Sequence, residues 1–374
     1  MRSLSFAVSA VVCLAACVET PSTPTAPYRG ASASALGSVT ASAVTVVDLG
    51  TLGGSASRAF AINALGHVVG SAQRSDNVQL AAVWDGVWHA LDLPQGASSA
   101  FARGVNGSDI VVGESSTSGA YQSVQWTPSG PGSWTMTLLP GLSGSPHTGT
   151  YAYAINTVGD VIGAEDAIGG GSYALVWRQE IPCKLSSPVA PDPAGMVPRG
   201  LNDNGWIAGN TSGGSAVVFV PSSYAATPCV GQLLVLPRDP TATGSHFATA
   251  VNVGGAITGW ATAGQVSHAL RWTLKPNVTA PTSTQDFTVT VLPGNDGAGW
   301  GITEDGTIAG ENYPKAGLYT GGMWSPNNAL TNLPPIAGYK TGEAAGIATV
   351  AGAHWAVGYS HTSQAQHATL WKAP

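Results

Sequence analysis

The chain has 374 residues, with 20 Asp or Glu against 14 Lys or Arg, a net charge of -6 and only 9% charged residues. No cluster of Lys and Arg could neutralise phosphates, which excludes nucleic acid as a partner. Past the leader no apolar run approaches the roughly 20 residues needed to span a bilayer. With 49 Gly and many Ser, Thr and Ala, the surface is neutral and rich in hydroxyls.

Arg2 precedes an apolar stretch from Leu4 to Ala16 that is too short to remain as a spanning helix, so residues 1–16 are expected to be an export signal. Leu14-Ala15-Ala16-Cys17 resembles the lipobox of bacterial lipoproteins. The resemblance makes Cys17 the lipidation site; an ordinary signal that contains a Cys is the alternative. Val18 and Glu19 follow without an Asp, which by resemblance to lipoprotein sorting implies an outer-membrane lipoprotein, periplasmic or at the cell surface. Beyond lipidated Cys17, the segment to residue 43 is Ser, Thr, Pro and Ala without periodicity and reads as a disordered tether. Contact with the membrane is expected through the anchor alone.

From residue 44 to 374 one pattern recurs: small residue, aliphatic, Asn, turn residues, Gly, any residue, two aliphatics, Gly. The first copy is Ala61-Ile62-Asn63-Ala64-Leu65-Gly66-His67-Val68-Val69-Gly70. The closing glycines are Gly70, Gly113, Gly163, Gly209, Gly259, Gly310 and Gly358, about 48 residues apart. Asn63, Asn106, Asn156, Asn202 and Asn252 hold the Asn position, and Thr303 replaces it in copy six. A second hydrophobic segment ends in Trp84, Trp126, Trp177, Phe219, Trp272, Trp324 or Trp371, and a further segment closes on Leu-Pro in five copies. Asn is suited to an Asx-turn and the Gly of Asn-x-x-Gly to a positive φ. Four short strands per copy predict an all-β, seven-bladed β-propeller of four-stranded antiparallel blades. Copy seven lacks a fourth strand, whereas Val44-Thr45-Val46-Val47-Asp48-Leu49 is a surplus one. The N-terminal strand is therefore expected to complete the last blade and close the circle, removing an exposed edge.

Asp48-Leu49-Gly50-Thr51-Leu52-Gly53-Gly54-Ser55 with Ala59-Phe60-Ala61-Ile62-Asn63, and His268-Ala269-Leu270-Arg271-Trp272, resemble the HAF family of bacterial extracellular repeats over residues 44 to 371. The resemblance implies an exported propeller-like repeat protein and carries over no reaction. His stands at the His-Ala-aromatic step only in copies five and seven, as His268 and His367.

Cys183 and Cys229 occupy corresponding linkers on either side of copy four and are a candidate disulfide; two free thiols are the alternative. Asn202 to Gly205 and Glu304 to Gly306 lack the spaced acids of a calcium loop and read as hairpin turns. Glu165-Asp166 reads as a solvated loop. No His-x-x-x-His, Gly-x-Ser-x-Gly or other metal, cofactor or catalytic motif is present. Aligned copies differ at the residue before the small one: Phe60, Arg103, Tyr153, Arg199, Thr249, Trp300 and Ala345. Phe60, Arg103, Tyr153, Arg199 and Trp300 are candidate ligand-binding residues near one mouth of the channel, with Trp206, Trp260 and Trp355 as further stacking platforms; inter-blade packing is the competing reading.

The expected function is a lipid-anchored extracytoplasmic binding or adhesion module, monomeric, for a glycan or a cell-envelope protein. A polysaccharide-active hydrolase or lyase using Glu165, Asp166 or Arg103 with Arg199, and a structural envelope protein without a small ligand, are the alternatives.

Overall fold

The computed structural model describes residues 44–142, 147–168, 170–188, 191–315 and 318–373. The signal peptide, Cys17 and the tether lie outside the described residues.

The protein is all-β; its described helical turns are the two short 3-10 segments Pro193–Gly195 and Thr284–Asp286. Each copy opens with a lead strand: Gly53–Ile62, Ser99–Val105, His147–Ile155, Met196–Leu201, His246–Val251, Gly297–Ile302 and Thr341–Val350. The strands that follow pair in hairpin order and make four-stranded antiparallel sheets of the form of a propeller blade. Two longer, eight-stranded sheets arise where neighbouring sheets touch through one parallel bridge, Ala56 to Gln366 and Gly149 to Tyr121.

Thr45–Asp48, the first strand of the chain, pairs antiparallel with the last strand, Gln366–Lys372, setting Val46 opposite Trp371 and Val47 opposite Leu370. Leu49 N–H continues the ladder to the Ala368 carbonyl at 3.0 Å. The lead strands touch one another in chain order, and the first also touches the seventh.

The side chains that recur are those that join one copy to the next. The Asn63 Oδ1 accepts the N–H groups of Leu65 and His67, closing the expected Asx-turn, while its Nδ2 donates to the Asn106 carbonyl of the next copy at 3.0 Å. Asn106, Asn156 and Asn202 donate in turn to the carbonyls of Asn156, Asn202 and Asn252. Asn252 donates to Thr303 at 3.0 Å. Thr303 keeps the turn by bonding Asp305 and the Thr307 carbonyl, but a hydroxyl offers no amide to pass onward. The turn Gly takes positive φ, 84° at Gly66 and 91° at Gly306, with Asp109 at 57° in copy two.

A second strap explains the Trp and Leu-Pro positions together. Trp177, Trp272, Trp324 and Trp371 donate from Nε1 to the carbonyls of Pro140, Pro237, Pro293 and Pro334 in the preceding copy, and Trp126 donates to Asp92. These five rings are almost completely buried, each contributing roughly 1.5–3 kcal/mol of transfer free energy. Copy three has no Leu-Pro and copy four has Phe219, which has no N–H to donate. At that junction the Cys183–Cys229 disulfide joins the outer strands instead, with Cα atoms 6.1 Å apart, well within disulfide reach. Ser186 N–H also donates to the Cys229 carbonyl there, at 2.8 Å.

Candidate ligand-binding site

A β-bulge interrupts every lead strand at the same place. The register against the second strand slips between Ala59 and Ala61, Ala102 and Gly104, Ala152 and Ala154, Pro198 and Gly200, Ala248 and Ala250, Gly299 and Gly301, and Ala344 and Gly346. The extra residues are Phe60, Arg103, Tyr153, Arg199, Thr249, Trp300 and Ala345: the variable position of the sequence. A bulge leaves one residue outside the ladder and re-aims its side chain.

The closing glycines are the counterpart of these bulges. Gly70, Gly113 and Gly163 lie opposite Ala59, Ala102 and Ala152. A Cβ on any of them would overlap the carbonyl oxygen of Arg58, Phe101 or Tyr151, the residue two before the bulge, and the same relation holds at Gly209, Gly259, Gly310 and Gly358. None of these seven glycines has a positive φ; they are required by a close backbone approach and not by a turn.

Copies one, two, three and seven together line a cavity of about 790 Å³ toward the start of the lead strands. Phe60, Arg103 and Tyr153 all face it, joined by Arg58, Phe101, Glu114, Tyr121, Tyr151 and Gln366. The Arg103 Nε donates to Glu114 Oε1 at 2.8 Å and its guanidinium lies over Phe60 and Phe101, 4.7 and 5.2 Å from the ring centroids. Tyr151 and Tyr153 stack with centroids 6.2 Å apart and planes 20° from parallel, and Tyr121 lies 5.2 Å from Tyr151. Burial pushes the Tyr153 hydroxyl up to about 12 and raises Tyr151 as well, so both remain hydrogen-bond donors at neutral pH. The Arg58 Nε donates to Gln366 Oε1 at 2.5 Å, and its guanidinium lies 4.9 Å from the Tyr359 ring centroid.

The other candidates lie elsewhere. Arg199 and Trp300 occupy bulges without lining this cavity. Trp300 Nε1 donates to Glu311 Oε1 at 2.8 Å. Tyr313 donates to the other Glu311 oxygen and Tyr359 to Glu343. Burial, and then the Glu343 carboxylate, push Glu311 up to about 7. Thr249, 2% exposed, uses its bulge to donate to the Gly299 carbonyl at 2.7 Å.

Trp206 is no platform: it is buried in a hydrophobic cluster with Ile257 and Trp272. Trp260 stacks on Phe247 at 4.2 Å. Trp355 packs against a core that copies one and seven share, beneath the Lys372 ammonium. Glu165 is not in a solvated loop but in the strand Val161–Ala167, where it is 0% exposed and accepts the Leu142 N–H at 2.6 Å. It does not line the cavity.

Sequence reasoning missed Arg58, Phe101, Glu114 and Tyr151. Two positions carry them: the residue two before each bulge and the residue after each closing glycine, which pair directly, as in Arg58 with Ser71 and Phe101 with Glu114. Period-2 alternation back from the variable position would have found Arg58, Phe101 and Tyr151, whereas Glu114 needs the cross-strand register as well.

No family model matches the chain, and no curated protein matches it. Among solved structures it is similar to the Trypanosoma rangeli sialidase in complex with the inhibitor DANA, with 11% identity over 89% of this chain and 60% of that one and a TM-score of 0.45. The chain thus spans about three fifths of that relative's length. It is similar also to the β-propeller domain of Myceliophteria thermophila Cps50 (Swd1), with 11% identity over 88% of this chain and all of that one, TM-score 0.49. AofleA from Arthrobotrys oligospora aligns with 11% identity over 88% of this chain and 86% of its own, TM-score 0.39. Nothing about ligand or chemistry passes from proteins this remote.

Proposed function

We propose that this chain is a seven-bladed β-propeller of the HAF repeat type, closed by its N-terminal strand. It is held outside the cytoplasm by a lipid on Cys17, and it serves as a binding module for an envelope glycan. Closure is supported by the pairing of Thr45–Asp48 with Gln366–Lys372 and by the contact of the first lead strand with the seventh. Export and anchoring rest on the leader and on Leu14-Ala15-Ala16-Cys17.

One observation carries the binding role: three of the seven bulges aim Phe60, Arg103 and Tyr153 into one aromatic-walled cavity of about 790 Å³. That is within the usual size range of small-molecule sites. Aromatic faces bind the apolar side of a sugar, while amide, hydroxyl and guanidinium groups meet its hydroxyls. Gln79, Gln366, Ser57 and Ser71 in the wall supply further polar partners. The test is binding of the full-length protein to arrayed envelope polysaccharides and envelope proteins. A glycan signal that falls at least tenfold in Tyr153→Ala and persists in Trp300→Ala supports the reading. Binding confined to proteins, no binding at all, or equal loss in both variants contradicts it.

A further inference from the structure

Two groups in the cavity wall hold chemistry that the protein itself leaves unmatched. Of the two arginines there, Arg103 is neutralised by Glu114, whereas Arg58 makes no ion pair among the described residues. The Arg58 Nε is taken by Gln366, so its two terminal nitrogens remain as an end-on fork, the geometry that meets a planar carboxylate with two parallel hydrogen bonds. Glu114 supplies the opposite need. It is 4% exposed and lines the cavity, and its Oε2 has no hydrogen-bond partner. A buried carboxylate oxygen left bare is costly and is relieved by a donor from a ligand.

We infer that the cavity takes a sugar bearing a carboxylate, a uronic-acid class of glycan, whose acid group meets Arg58 while a ring hydroxyl donates to Glu114 Oε2. The inference rests on the glycan-binding reading above and narrows it. A neutral sugar would satisfy Glu114 and leave the Arg58 charge unpaired, and a simple anion would pair Arg58 and leave Glu114 Oε2 bare. A uronate carries both groups on one ring, with an apolar face for the stacked Tyr151 and Tyr153.

The experiment is calorimetric titration of the full-length protein with oligomers of galacturonate, glucuronate and mannuronate. Their carboxyl-reduced neutral counterparts and a sulfated neutral oligosaccharide complete the panel. At least one uronate is expected to bind tenfold or more tighter than its reduced form, because a charge-assisted pair in a shielded site has that scale. Arg58→Gln, with an unchanged unfolding midpoint, should bring uronate affinity to within about threefold of that same variant's affinity for the neutral oligomer. Equal affinity for uronate and reduced forms, or tighter binding of the sulfated oligosaccharide, overturns the carboxylate while glycan binding stands. Failure of every oligosaccharide overturns the uronate assignment, and failure of the arrayed polysaccharides as well overturns the glycan reading with it. A uronate preference that survives in Arg58→Gln also overturns the assignment.

Discussion

The Asn of each turn lies three positions after the bulge of its lead strand, and the two places follow opposite rules. At the turn five copies carry Asn, and in each the side chain closes the turn with its oxygen and reaches the next copy with its nitrogen. At the bulge the backbone shift is present in all seven copies, yet Phe, Arg, Tyr, Thr, Trp and Ala all occur. The turn uses its side chain to build the frame. The bulge is fixed from across the sheet, by a closing glycine that admits the neighbouring carbonyl, so its own side chain is free to carry recognition.

This contrast can be broken first at the frame. The junction of copies three and four has neither Trp strap nor Leu-Pro, and its disulfide closes a sequence separation of 46 residues. Reduction, or Cys183→Ser with Cys229→Ser, is expected to lower unfolding free energy by about 4 kcal/mol in the chain-entropy account, read by denaturant unfolding. Gly113→Ala should cost about 3 kcal/mol by driving a methyl into the Phe101 carbonyl. Gly107→Ala in the same copy, where a Cβ meets nothing within 4 Å, should stay within about 0.5 kcal/mol. Asn156→Ala removes the acceptor of the Asp160 N–H and the donor to Asn202 and Tyr224. The groups it strands are buried, and a loss of about 2–3 kcal/mol follows.

A pH-dependent effect sharpens the bulge side of the comparison. Glu311 beside Trp300 titrates near 7 in the fold, above its ordinary value of 4.5. The folded protein therefore holds a proton that the unfolded chain has released between those limits. Stability should fall as pH rises from about 4.5 to about 7, and thermal melts of Glu311→Gln should lose that slope. A slope of the opposite sign would show that Glu311 is held as a carboxylate.

The repeat spacing, the strand count per copy and the surplus first strand are legible in the sequence because each depends on local pattern: alternation, turn residues and Leu-Pro. The variable position is legible too, by aligning the copies. What could not be read is why it varies. The bulge needs coordinates, since a glycine that admits a carbonyl looks in sequence like one that makes a turn. For the same reason Trp206 was indistinguishable from an exposed platform: a Trp two residues after Asn204 enters the core or the surface according to how the next copy packs on it, here through Gly255 against its ring. Glu165 was misjudged because an acid in a buried strand has no local signature. Its partner, the Leu142 N–H, is 23 residues away.

Alanine substitution at Phe60, Arg103, Tyr153, Arg199 and Trp300, each compared at equal folded fraction for affinity toward the glycan the protein binds, tests most directly whether the bulges carry recognition. The account predicts losses of tenfold or more at Phe60, Arg103 and Tyr153, the three that face the cavity, and near-unchanged affinity at Trp300, which faces Glu311. Losses spread without regard to which side chains line the cavity, or absent from all five, would contradict it.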